Sequence, residues 1–167
     1  MAIDVTSLNS SRQQGHGQRT GKTRAMQYYQ AAIERWRDAE ELQKNGRYQA
    51  SIYLGGYVIE FNLKYIICIK NDIIYIEDLE SRIDSQEREN NRRISRGKTG
   101  HNLEFLVRTA KIEAQIYSEP LLHKSFVIVN NWDVAMRYSP HPETRDYADR
   151  FLSAVEVLKA WLLAQAY

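Results

Sequence analysis

One segment constrains this chain more than any other. Between Tyr48 and Lys70 the aromatic residues Tyr53, Tyr57, Phe61 and Tyr65 recur at four-residue steps, and Ile52, Val58, Ile59, Leu63 and Ile66 widen the same stripe. Four-residue recurrence is the period of a helix face, and a stripe this wide belongs to a helix covered on several sides. The segment therefore predicts the central helix of a bundle. Gly55-Gly56 lies inside it. A helical glycine costs roughly 1 kcal/mol relative to alanine. Close approach of another element is the expected compensation.

The flanking segments repeat the pattern. Tyr29, Ile33, Trp36 and Ala39 predict a helix over about Arg24 to Lys44, stopped by Asn45-Gly46. A short helix is expected over 73–84, and a third main helix begins near His101 with Leu103, Leu106, Val107 and Ala110. A fourth is expected from Glu119 to Tyr138, with Pro120 in its first turn, and a last from Glu143 to Ala164. No stretch reads as strand. The expected fold is an all-α antiparallel bundle of four to five helices, with a charged loop, Ser85 to Gly100, before the third main helix.

A chain of 167 residues is one domain by length. Residues 1–23 are polar and aperiodic, so they are expected as a flexible tail before a bundle domain at 24–167. The tail holds Gly21-Lys22-Thr23, but a phosphate-binding loop requires glycine where His16 stands. The lone cysteine, Cys68, sits in an apolar run and reads as a buried thiol in a reducing compartment. No run is expected to approach the length of a membrane span and no apolar signal core is expected at the N-terminus, so a cytoplasmic location is expected. The histidines, cysteine and carboxylates show no metal-ligand spacing, and no cofactor is expected.

Net charge is only +2, yet Glu87 to Lys111 holds seven basic residues against three acidic ones. Arg92, Arg93 and Lys98 lie in this stretch and are candidate contacts for a polyanion; a solvated mixed-charge loop is the alternative. The same stretch contains Arg96-Gly-Lys-Thr-Gly-His101. Arginine keeps its charge and grips phosphate with a planar fork, while histidine exchanges protons near neutrality. Together they could cut an RNA backbone without metal, with Asn102 as a polar helper. At a helix start, His101 would lie beside free backbone N–H groups, which should lower its pKa. The alternative is an ordinary capping or packing histidine.

A second constellation is Arg137-Tyr-Ser-Pro-His141, preceded by Asn130-Asn131-Trp132-Asp133. Arg137 could hold a phosphate, and Trp132 or Tyr138 could stack on a base; aromatic bundle core is the alternative. Glu60 is an acid in an apolar run and needs a partner, either Arg137 or Lys64.

Four segments carry a resemblance. They are Gly46-Arg-Tyr-Gln-Ala-Ser-Ile-Tyr-Leu-Gly-Gly-Tyr-Val-Ile-Glu-Phe-Asn-Leu-Lys64, Gly100-His-Asn-Leu103, Arg137-Tyr-Ser-Pro140 and the last helix. In this order, over about residues 24 to 165, they resemble the HEPN superfamily of small all-helical domains. That resemblance implies a homodimer. It further implies a metal-independent endoribonuclease of toxin or phage-defence type acting on single-stranded RNA and leaving cyclic-phosphate ends. The family signature is arginine, four to six residues, then histidine, which Arg96 and His101 match; Gly97 stands where active members often have a polar residue. The resemblance equally admits a non-catalytic module that binds a nucleotide or substrate beside a separate minimal nucleotidyltransferase.

Overall fold

The computed structural model describes residues 23–89, 99–139 and 143–166. Seven α-helices are present among these residues: α1 (Met26–Lys44), α2 (Tyr48–Lys70), α3 (Ile76–Glu89), α4 (Leu103–Thr109), α5 (Glu113–Ser118), α6 (Pro120–Val129) and α7 (Arg145–Ala164). One-turn 3-10 segments occupy Thr99–His101 and Val134–Tyr138. Among the described residues there is no strand, only an isolated bridge between Arg24 and Tyr75. The architecture is an all-α helical bundle.

The α2 helix is the axis of the fold. It packs along α1 and α7 and touches α4. Ile52, Val58, Ile59, Leu63, Ile66 and Ile67 are all buried, as the wide stripe predicts. By length and apolarity alone α2 could cross a membrane, which corrects the expectation that no run would qualify. Its neighbours bury 72% of its most apolar window, and Glu60 and Lys64 sit within the helix, which packs as the core helix of the bundle.

The glycine pair does what was expected of it. A Cβ on Gly55 would lie 2.9 Å from Leu152 and 3.2 Å from Phe151 of α7. A Cβ on Gly56 would overlap the indole of Trp132. Side chains from two other elements therefore rest directly on the α2 backbone.

Local chemistry sets the helix ends. Gly46 adopts φ +72 after α1, where the Arg47 N–H reaches back to Leu42 O at 2.8 Å. Asn102 caps α4, Glu119 caps α6 and Thr144 caps α7, each accepting a backbone N–H. The α4 helix closes in the same manner as α1, with Lys111 N–H donating to Arg108 O at 3.0 Å and Ile112 N–H to Val107 O at 3.3 Å. Here the left-handed residue is Lys111, φ 56, at a position that glycine fills without strain.

Two boundaries differ from expectation, and α5 is a helix for which the sequence offers none. The α3 helix runs to Glu89, into the stretch expected as loop. The turn at Ala110-Lys111 ends α4, as the stripe to Ala110 predicts, and separates it from α5. The long fourth helix ends at Val129. Asn131 turns back onto Val127 O at 3.0 Å, and Asp133 accepts from Ala135 N–H at 2.6 Å to start a new turn. Short polar side chains compete here with the helix ladder, and Trp132 leaves the helix path to cover Gly56. Thr23, expected in the tail, is tied to α3: its N–H donates to the Glu77 carboxylate at 3.0 Å, and its carbonyl accepts from Ile76 N–H at 2.9 Å.

Candidate functional site

The site begins with the acid that the apolar helix should not contain. Glu60, on α2, is 1% exposed at its side chain. One turn later Lys64, 5% exposed, places Nζ 3.2 Å from Glu60 Oε1. The same Nζ donates to Glu80 Oε1 of α3 at 2.9 Å, and Tyr28 of α1 donates its hydroxyl to that oxygen at 2.6 Å. The other Glu60 oxygen, Oε2, lies 2.9 Å from Nδ1 of His101. Three helices and the turn before α4 thus share one chain of charge, running from Tyr28 through Glu80, Lys64 and Glu60 to His101. Arg137, the other sequence candidate for the Glu60 partner, is not in it.

A carboxylate only accepts, so Nδ1 of His101 carries the proton in this contact. That leaves Nε2 as the ring atom open to exchange with a bound molecule; it has no hydrogen-bond partner among the described residues. Tyr57 stands edge-on to the imidazole, ring centres 6.2 Å apart. The hydrogen bond to Glu60 holds the His101 pKa above its ordinary value and outweighs the opposing effect of burial. This corrects the expectation of a lowered pKa. His101 lies in the 3-10 turn before the helix, Asn102 takes the cap, and the nearest buried charge is a carboxylate. Burial tends to raise the Glu80 pKa, but the Tyr28 hydrogen bond and the Lys64 charge together hold it below the usual range. Burial, and then Glu80, push the Tyr28 hydroxyl up.

His101 opens onto a cavity of about 170 Å³, lined also by Asn102, Glu104, Asn130, Trp132 and Asp133. Asn102 is therefore beside the imidazole, but its Oδ1 is already engaged as the α4 cap, accepting from Phe105 N–H at 2.9 Å. Trp132 takes the alternative place, in the aromatic core. Its side chain is core: 5% exposed, packed on Gly56, edge-on to Tyr57 at 5.0 Å, with Nε1–H donating to Tyr53 O at 3.0 Å. A base cannot stack on a ring already covered in this way.

Arg137 and Tyr138 are not among the residues that line the His101 cavity. Tyr138 is 74% exposed, and the Arg137 guanidinium stands 4.7 Å above its ring. Arg137 lines a larger cavity of about 440 Å³ with Arg47, Gln49, Tyr53 and Glu143. The candidates Arg92, Arg93, Arg96 and Lys98, and also His141, lie outside the described residues.

Glu80 and Tyr28 are the site residues that sequence reasoning missed. Glu80 sits in a charged amphipathic helix, and Tyr28 is one tyrosine among eleven; neither breaks its local pattern. Among the described residues no group of three or more histidine, cysteine or carboxylate side chains is placed to hold a metal ion.

Comparison of the chain with protein-family models, with curated proteins and with solved structures finds no match to any of them.

Proposed function

We propose that this chain is a HEPN-type RNA-processing protein, a cytoplasmic homodimer that cuts single-stranded RNA without metal. The reading rests on the sequence resemblance. The observation that carries it is the contact between Glu60 Oε2 and His101 Nδ1, 2.9 Å, inside an otherwise apolar helix. A carboxylate behind a histidine fixes the ring and its tautomer and leaves the second nitrogen for proton transfer.

In this scheme Nε2 of one His101 takes the 2′-hydroxyl proton, and the 2′-oxygen attacks the adjacent phosphorus. Arg96, five positions before His101 in the chain, stabilises the charge on the phosphorane. The bond to the 5′-oxygen breaks, and that oxygen takes a proton from His101 of the second copy. The products are a 2′,3′-cyclic phosphate and a 5′-hydroxyl. The raised pKa of His101 suits the acid role, and two-fold symmetry supplies one histidine for each task.

The test is cleavage of a labelled single-stranded RNA in excess chelator by wild type, His101→Ala and Arg96→Ala. Cleavage by wild type alone, leaving cyclic-phosphate ends, supports the scheme. No cleavage by folded, dimeric wild type, or equal cleavage by all three, overturns it.

One observation favours a second reading, a nucleotide- or substrate-binding module that works with a separate nucleotidyltransferase. The 440 Å³ cavity beside Arg47 and Arg137 is large enough for a small ligand and is lined by two arginines and two tyrosines. Ligand binding that is lost in Arg137→Ala, with no nuclease activity in wild type, distinguishes it.

A further inference from the structure

A third cavity, about 350 Å³, lies away from both sites, where the end of α2, the face of α3 and the α4–α5 turn meet. Its floor is apolar, made by Ile67, Ile73, Leu79 and Ile83, all buried. Its rim carries Arg82, Arg108 and Lys111. Glu104 and Glu113 hold Arg108, at 2.5 and 3.1 Å, so they fix it in place and offset its charge. Arg82 and Lys111 have no carboxylate partner among the described residues, and no acidic residue lines the cavity. Lys70 stands beside it, its Nζ donating to Ala110 O at 3.2 Å. The cavity is therefore positive at its rim and greasy at its base.

Lys111 adds an independent observation. It occupies the left-handed position that ends α4, φ 56, where glycine is the unstrained choice. A lysine there is unfavourable for the backbone, and it lines the cavity. Gln86 and Asn71 complete the rim with amide groups; the Asn71 amide donates to Ile67 O at 2.8 Å, which leaves its carbonyl oxygen facing other partners.

We propose that this cavity binds a nucleotide, with the phosphate between Arg82 and Lys111 and the flat base over the isoleucine floor. The volume matches a ligand of that size. Two cations with no carboxylate partner among the described residues match a phosphate that keeps its charge at neutral pH. The nucleotide is either free or one unit of a single-stranded RNA. The site stands apart from His101, at the opposite end of α4, and does not depend on RNA cleavage or on the Arg137 cavity.

The test is calorimetric titration of the full chain with a mixture of the four nucleoside 5′-monophosphates, with the four unphosphorylated nucleosides, and with a single-stranded RNA oligonucleotide. The expected variant result is specific. Lys111→Gly keeps or raises the melting temperature while weakening binding about tenfold, and Arg82→Ala weakens it similarly. Tight binding of monophosphates identifies a free-nucleotide site. Binding of the oligonucleotide alone, still sensitive to Lys111→Gly, identifies a subsite for RNA. The proposal is overturned if neither probe binds, if nucleosides bind as well as monophosphates, or if Lys111→Gly and Arg82→Ala leave binding intact. If the RNA scheme fails while monophosphates bind here with this variant pattern, the two readings are separated.

Discussion

Glu60 Oε2 and His101 Nδ1 lie 2.9 Å apart, although forty-one residues separate them in the chain and the carboxylate is almost wholly buried. The contact ties the turn before α4 to the central helix. It also makes stability depend on pH in a fixed direction. The folded-state pKa of His101 is raised above the ordinary value of 6.5. The charge-assisted part of the contact is therefore fully present below that value and is lost as pH rises through the folded pKa. Melting temperatures of wild type and His101→Asn, measured from about pH 6 to about pH 8, are expected to converge as pH rises. A gap that stays constant or widens contradicts the assignment. An NMR titration of the imidazole checks the same point: its midpoint lies above 6.5 in wild type and falls in Glu60→Gln.

Lys64 neutralises two carboxylates at once, Glu60 at 3.2 Å and Glu80 at 2.9 Å. Removing it strands a buried negative charge. Lys64→Met is expected to cost about 3–5 kcal/mol, the range for breaking one side of a buried pair. The double variant Glu60→Leu/Lys64→Met should recover much of that loss, because it removes both desolvated charges and leaves apolar volume beside α1 and α3. Chemical denaturation of the two singles and the double gives the coupling. Additive losses would mean that the pair is not the interaction described here.

The parts of this structure legible in sequence are those set by local pattern. The α2 limits, Tyr48 and Lys70, follow from the aromatic stripe and the breakers Asn45-Gly46 and Asn71-Asp72. Glu60 stands out because it interrupts an apolar run, and Lys64 is one of two partners that the sequence offers. Its remaining partner, His101, comes from a different segment, and no period in the sequence connects the two. The break after Val129 was hidden for a similar reason. The helical pattern runs on through Val134, and the seat that Gly56 offers to Trp132, from another segment, favours leaving the helix. Position at a helix start predicts a lowered His101 pKa, whereas the carboxylate beneath it, which comes from a distant segment, raises it.

Cys68 is 1% exposed, and burial pushes its thiol pKa up to about 11. Only the thiolate reacts, so the native protein should resist a thiol reagent at neutral pH. Modification is expected only at the rate of unfolding, and it should become fast and stoichiometric in denaturant. Rapid labelling of the folded protein would place α2 less deeply than described.

Gly56 and Trp132 give the sharpest packing test. Each atom of the indole nearest Gly56 occupies the space that a Cβ would need, and the indole is held by Nε1–H to Tyr53 O at 3.0 Å and by Tyr57 at its edge. The ring therefore cannot slide aside without losing its hydrogen bond. Gly56→Ala, harmless in an exposed helix, is expected to destabilise by about 3 kcal/mol here, at the upper end for overpacking. Trp132→Ala should cost about 3–5 kcal/mol by opening a cavity. In the double variant the new methyl group enters the space that the indole vacates, so the combined loss should be clearly smaller than the two added together. Thermal melts of the four proteins decide it. Strict additivity would show that Trp132 does not rest on Gly56, and the 3-10 turn that follows it would then be held to α2 through the Gln49 amide, which donates to Met136 O at 2.8 Å.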